Sequence, residues 1–180
     1  MGRHYGFDRL VVPWVLCHGV QDLLHGLKYE VKTFIAPYNG QAVAARMREA
    51  EETQGDHVVV PVPLHRARLR ERGYNQCRLI ADTVAGLINS SVSQALIRAK
   101  HTKTQTLLGR EARERNVEGA FEVIGSDGLA GKKVFLIDDV CTTGATVNAC
   151  SAALRAAGVE RIVVAAAASP CRFTWVLKIL

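Results

Sequence analysis

Two adjacent aspartates end an apolar segment and are followed at once by a turn rich in threonine and glycine. The stretch VFLIDDVCTTGAT runs from Val134 to Thr146. Neighbouring carboxylates repel each other, so they need a cation, a metal ion or hydroxyl donors as partners. Backbone N–H groups in the turn, together with the dipole of a following helix, favour an anion, and Gly144 permits its close approach. The pattern predicts a ribose phosphate, with its hydroxyls on the aspartates and its phosphate on the turn.

Ordinary structural roles explain each part of this stretch taken singly. Asp139 could cap a helix, and Thr-Thr-Gly could be a simple turn, but the full order on a strand, turn and helix favours a binding site. A P-loop is a poor alternative. The glycine-rich segment GSDGLAGKK lacks Ser or Thr after its lysines and precedes a strand instead of following one.

The elements around the stretch alternate as in an α/β domain. Apolar runs predict strands at 56–61, 134–137 and 162–168, and amphipathic patterns predict helices at 41–52, 75–88 and 146–157. Continuously apolar strands are typical of a parallel sheet covered by helices on both faces. Such sheets bind ligands at the carboxyl ends of their strands, which is where the aspartates fall.

Composition narrows the class of protein. A chain of 180 residues with 48% hydrophobic residues is long enough for one domain with a proper core. The net charge of +6 favours an anionic partner, and four arginines fall between Arg66 and Arg72. Five cysteines without CxxC spacing predict neither disulfides nor zinc and favour a reducing compartment. With no apolar run long enough to span a bilayer, we expect a cytoplasmic protein.

VFLIDDVCTTGAT closely resembles the PRPP-binding signature of type I phosphoribosyltransferases, where PRPP is 5-phosphoribosyl 1-pyrophosphate. PVPLHRARLRERGYNQ at 61–76 resembles the signature of the ComF family, which is linked to natural competence and DNA uptake. LLHGLKYE at 23–30 and TQTLLGREARERNVEGAF at 104–121 extend the resemblance. It implies a type I phosphoribosyltransferase-like α/β fold, with a mostly parallel central sheet flanked by helices and a small hood. Residues 1–40 would form the N-terminal hood or edge segment, and 41–180 the core.

The resemblance also implies a role for individual residues. Asp138 and Asp139 would hold the ribose hydroxyls, beside Mg²⁺ that bridges these hydroxyls and the pyrophosphate. The 5′-phosphate would lie on the following turn, formed by Thr142, Thr143, Gly144, Ala145 and Thr146. Pyrophosphate would lie on the loop after the first core strand, formed by Pro63, Leu64, His65 and Arg66. A mobile catalytic loop at about 100–116 would contribute Lys103, Gln105 and Arg110.

Three hypotheses of function remain open at this point. The first is a magnesium-dependent transfer of the phosphoribosyl group to a nitrogenous base, and the second is a protein that senses PRPP without turnover. The third is a competence factor whose partner is single-stranded DNA or the uptake machinery. Single-strand binding interleaves cations with stacking aromatics, and Tyr74 is the one aromatic residue in the basic stretches. Phe173 and Trp175 are expected to pack on the sheet or on a second subunit of a homodimer, with stacking on an acceptor base as the alternative.

Overall fold

A parallel sheet of six strands forms the centre of the computed structural model, which describes residues 5–50, 52–100, 117, 119–125 and 128–170. The strands are β1 (Arg9–Val11), β2 (Trp14–Val15), β3 (His57–Pro61), β4 (Ser91–Val92), β7 (Lys133–Val140) and β8 (Arg161–Ser169). Their order is β1-β8-β7-β3-β4, and β2 also pairs with β8. A separate antiparallel pair consists of β5 (Leu96–Arg98) and β6 (Phe121–Val123).

Helices cover both faces of the sheet. They are α1 (His18–Tyr29), α2 (Ile35–Glu49), α3 (Arg66–Arg72), α4 (Gln76–Leu87) and α5 (Ala145–Ala156). Side chains of β7 alternate between two cores, as a strand buried on both faces requires. Val134 and Leu136 pack with α5 and the β5–β6 pair, whereas Phe135 and Ile137 pack with α1, α2 and α4.

The predicted α/β class and the mostly parallel central sheet are confirmed. One predicted strand end and one predicted helix start differ from those in the structure. The strand predicted at 134–137 continues as β7 through both aspartates to Val140, because β8 pairs with it as far as Ala168. The helix predicted to start at Gln41 begins at Ile35, since Pro37 lies in its first turn, where no intrahelical N–H bond is lost. None of the described helices has the length and apolarity to cross a membrane.

The amino ends of the central strands are joined by one buried carboxylate. Glu52 is 1% exposed, and its carboxylate lies 2.8 Å from Arg9 of β1, 2.8 Å from Lys133 of β7 and 3.0 Å from Arg161 of β8. Three cations around one carboxylate compensate for its removal from water. This network fixes the edge of the sheet opposite the predicted site.

A strained residue lies in the turn between α1 and α2. Val31 has φ of 57° and is 68% exposed. A β-branched residue in this left-handed region pays about 1–2 kcal/mol in steric cost. Asn89, just after α4, has a similar φ of 55° but belongs to a residue type that tolerates it.

We expect Val31→Asn to raise the free energy of unfolding by about 1 kcal/mol, because it relieves this strain. Urea denaturation measures the change. The reciprocal variant Asn89→Val is the matched control and should lose a similar amount. A Val31→Asn variant no more stable than the wild type, beside a destabilised Asn89→Val variant, would contradict the prediction.

Candidate functional site

Two loops from neighbouring parallel strands meet at the carboxyl edge of the sheet. Strand β3 pairs with β7 so that Pro61 lies opposite Ile137, one residue before the acidic pair. The loops enclose a cavity of about 420 Å³. Seven of the residues predicted to bind ligand line it: Pro63, Leu64, His65, Asp138, Asp139, Thr142 and Thr146.

The loop after β3 is held by caps at the ends of short helices. His65 is the N-cap of α3, and its Nδ1 accepts a hydrogen bond from the Ala67 N–H at 3.2 Å. Asn75 caps α4 through the Cys77 N–H at 3.0 Å, and its amide donates to the Val62 carbonyl at 3.0 Å. The sequence analysis did not predict α3. Arg66 is its first residue and does not line the cavity, unlike Pro63 to His65.

The turn after β7 is shaped for close approach at the start of α5. Gly144 has φ of 79°, a conformation that L side chains adopt only with strain. Thr143 Oγ1 accepts from the Ala145 N–H at 3.3 Å and so supports the first turn of the helix. Thr142 and Thr146 line the cavity. The turn therefore divides into residues that shape it and residues that face the cavity.

The acidic pair is buried and its two members differ in charge state. Asp138 is 7% exposed and Asp139 is 4% exposed. Burial, with the Asp139 charge as a further cause, raises the pKa of Asp138 from 3.8 to about 8. Burial also raises the pKa of Asp139, but the charge and hydrogen bond of Lys28 outweigh it and leave the pKa lowered. Asp138 Oδ1 accepts from the Asp139 N–H at 2.9 Å and from the Cys77 thiol at 3.5 Å.

The partner of the acidic pair is a lysine from α1 that the sequence analysis did not include in the site. Lys28 Nζ lies 2.5 Å from Asp139 Oδ2. Burial lowers the pKa of Lys28, but the Asp139 charge more than offsets this and the pKa is raised. Gln21, Leu24, His25 and Tyr29 line the cavity together with Lys28, at the spacing of one helix face. Paired carboxylates need a cation, so the sequence indicated that one was required. No residue close to the acidic pair in the sequence identified Lys28 as that cation.

Further cations reach the cavity from α3 and β5. Arg68 and Arg72, one turn apart on α3, line it, as does Arg98 of β5. The Arg72 guanidinium lies 5.3 Å from the centre of the Tyr29 ring, and that of Arg98 lies 5.5 Å from Phe121. The cavity thus holds an acidic floor beside a predominantly basic wall. Lys103, Gln105, Arg110, Phe173 and Trp175 lie outside the described residues.

This chain is similar in sequence to known proteins over most of its length. Residues 79–172 match the family described as "Phosphoribosyl transferase domain". Competence protein F of Haemophilus influenzae is 29% identical over 161 residues, which are 87% of this chain and 70% of that protein. DNA utilization protein YhgH of Escherichia coli K12 is 30% identical over 145 residues, 78% of this chain and 63% of that protein.

Solved structures with a similar backbone include two enzymes. Glutamine PRPP amidotransferase from Bacillus subtilis has a TM-score of 0.47 and 18% identity, covering 72% of this chain and 25% of its own. Hypoxanthine phosphoribosyltransferase from Staphylococcus aureus has a TM-score of 0.44 and 16% identity, covering 76% of this chain and 66% of its own. Both TM-scores are below 0.5. The fold is therefore assigned from the sheet topology and from the family match.

We expect Asp139→Asn to lower the free energy of unfolding by about 2–3 kcal/mol, because it leaves the Lys28 ammonium largely buried without its carboxylate. The double variant Lys28→Met/Asp139→Asn removes both charges and should recover most of the loss. Urea denaturation of the four proteins in this cycle gives the coupling. Glu30 and Lys32, an exposed pair at 2.6 Å, provide the control cycle, in which the coupling should be far weaker because water screens the charges. Additive losses at Lys28 and Asp139 would contradict the pairing.

The raised pKa of Asp138 predicts a pH dependence of stability. A folded-state pKa of about 8, against an ordinary 3.8, contributes stability that is complete at low pH and is lost as the pH rises through about 8. Asparagine at 138 does not titrate. The difference in free energy of unfolding, wild type minus Asp138→Asn, should therefore fall between about pH 5 and pH 8. A difference that stays constant over this interval would count against a protonated Asp138.

Proposed function

Because this chain belongs to the phosphoribosyl transferase domain family, we propose that its cavity binds PRPP. The observation that carries the proposal is the convergence of two separate motifs, the stretch 138–146 and the loop after β3, on one cavity of about 420 Å³. Asp138 and Asp139 accept from the ribose hydroxyls, and the turn at 142–146 receives the 5′-phosphate. Pro63, Leu64 and His65 receive the diphosphate, with Arg68 and Arg72 of α3 beside it. A volume of this order suits a small, highly charged ligand.

We further propose that the bound ligand reacts at C1 of its ribose. The bond between C1 and the diphosphate oxygen breaks, pyrophosphate leaves with the bonding electrons, a nitrogen of the acceptor base forms the new bond to C1, and the proton on that nitrogen is released to solvent. No side chain has to act as a nucleophile, so the chain contributes position and charge. Lys103, Gln105 and Arg110 of the predicted mobile loop would close over the ligand and exclude water.

We propose that Mg²⁺ enters this cavity bound to the ligand and not directly to protein side chains. Cys77, Asp138 and Asp139 offer ligand atoms within 4.8 Å of one another. Mg²⁺ prefers oxygen over sulfur, and Lys28 already contacts Asp139 Oδ2 at 2.5 Å. We therefore propose that Asp138 and Asp139 would hold Mg²⁺ only indirectly, through the bound ligand. When bound, Mg²⁺ would neutralise charge on the departing pyrophosphate.

A second candidate function is the handling of single-stranded DNA. Its basis is the α1–α2 corner, an exposed surface formed by Tyr29, Val31, Phe34 and Tyr38. Folding brings this corner next to a basic helix, because Arg72 of α3 packs over the Tyr29 ring. Cations beside exposed aromatic rings are the usual components of a single-strand surface. Two relatives are named a competence protein and a DNA utilization protein.

Calorimetric titration tests both candidates with one protein sample. We expect PRPP to bind with micromolar affinity, more tightly with Mg²⁺ than with EDTA, and ribose 5-phosphate to bind more weakly because it lacks the diphosphate. A deoxythymidine oligonucleotide is titrated in parallel. Absence of PRPP binding, with the oligonucleotide bound, would reject the first candidate in favour of the second.

The variant Asp138→Asn/Asp139→Asn should lose PRPP binding, since each amide replaces one acceptor oxygen with an NH2 donor and the Asp139 charge is removed. Thermal unfolding checks that the variant is folded, and Asp138→Asn alone is the less disruptive version. Asp56→Asn, which changes an exposed acid outside the cavity, is the matched control. Full PRPP affinity in a folded double variant would remove the acidic pair from the site.

A further inference from the structure

One lysine occupies a position in the cavity that its sequence neighbours do not explain. The Lys28 side chain is 25% exposed and its ammonium is within 2.5 Å of Asp139. It reaches the sheet from α1, on a helix face that lines the cavity. A lysine whose only role was to neutralise the Asp139 carboxylate could approach that carboxylate from any direction. The contacts of α1 show on which side of the acidic pair this one lies.

Two contacts place the end of α1 beside the α3 segment. Arg72 packs over the ring of Tyr29, the residue next to Lys28. The Tyr74 hydroxyl, just after α3, donates to the Leu27 carbonyl at 2.5 Å. Lys28 therefore enters the cavity from the side of the β3 loop and the α3 arginines. The turn at 142–146, where the 5′-phosphate is proposed to lie, leads instead into α5.

A ribose hydroxyl that donates to Asp139 Oδ2 meets an acceptor that Lys28 already contacts. Its Oδ2 is in contact with Lys28, and its own pKa is lowered by that contact. An incoming hydroxyl shares or replaces the ammonium as donor. A displaced ammonium needs another anionic partner nearby, since a largely buried cation without one is costly.

We propose that Lys28 is a ligand-binding residue that changes partner: its ammonium binds an anionic oxygen of the ligand's diphosphate while Asp139 accepts from a ribose hydroxyl. This inference rests on the proposed function. Lys28 then couples the ribose and the diphosphate of the ligand. When its ammonium leaves Asp139, that carboxylate can accept from a ribose hydroxyl, and the ammonium pairs with the diphosphate. The α1 helix thereby becomes part of the diphosphate site and does more than cover the cavity.

Binding of two ligands to one variant distinguishes this role from a structural one. Lys28→Met should weaken PRPP binding by about 10- to 100-fold, the value of one hydrogen bond to a charged group. Ribose 5-phosphate, which has no diphosphate, should bind Lys28→Met at least as well as the wild type, because Asp139 no longer exchanges a lysine for the hydroxyl. Calorimetry in EDTA and in Mg²⁺ measures both affinities.

Lys32→Met is the matched control, since Lys32 follows α1 closely, pairs with Glu30 on the surface and does not line the cavity. It should leave both affinities unchanged. If Lys28→Met does not fold, Lys28→Gln replaces it, because the amide still donates to Asp139 without carrying charge. The expected pattern for Lys28→Gln is the same loss for PRPP alone.

The outcomes separate the two proposals. Equal losses for PRPP and ribose 5-phosphate, or an unchanged PRPP affinity, would overturn the partner change of Lys28 and leave the proposed function intact. A wild type that binds neither compound would overturn the proposed function and this inference with it. A selective loss of PRPP affinity, with ribose 5-phosphate retained, supports both.

Discussion

Two carboxylates buried side by side cannot both be ionised unless a cation compensates them, and the carboxyl edge of this sheet is arranged around that constraint. Lys28 lies 2.5 Å from Asp139 and lowers the pKa of that carboxyl, whereas burial raises the pKa of Asp138 to about 8. The pKa values of the two carboxyls are thereby shifted in opposite directions. The helix α1, which is distant from the acidic pair in the sequence, has to pack against the sheet to bring Lys28 to Asp139.

The packing of α1 meets that requirement through ordinary apolar contacts. Leu24 and Leu27 are buried in the same core as Phe135 and Ile137 of β7, so the helix is anchored by burial and not by its ion pair alone. At the opposite edge of the sheet, the buried carboxylate of Glu52 is compensated by cations from three strands. There the charges are saturated by protein groups, which suits a structural role. At the carboxyl edge a single lysine can exchange its partner, which suits a binding role.

Local patterns predicted the three longest strands, three of the helices and seven of the residues that line the cavity. The acidic pair and the turn at 142–146 are contiguous, and strand, turn and helix follow from apolar runs and a glycine with positive φ. The confirmed resemblance to the ComF family depends on other contiguous segments, at 61–76, 23–30 and 104–121. Lys28 and Arg98 were missed because their relation to Asp138 and Asp139 arises only when distant segments pack together. The short helix α3 was missed because its four arginines were interpreted as charge and not as a capped helical turn.

The chemistry of the acidic pair also bears on how the two candidate functions could coexist. Deoxyribose in a DNA strand has no vicinal hydroxyl pair, so DNA offers Asp138 and Asp139 no matching donors. A DNA strand would add its phosphates to the basic wall but would offer the acidic floor no pair of hydroxyl donors. Single-stranded DNA is therefore better matched to the α1–α2 corner, where Phe34 and Tyr38 are 67% and 65% exposed. Since Lys28 and Tyr29 are adjacent on α1, occupancy of the cavity and of the corner would act on the same helix.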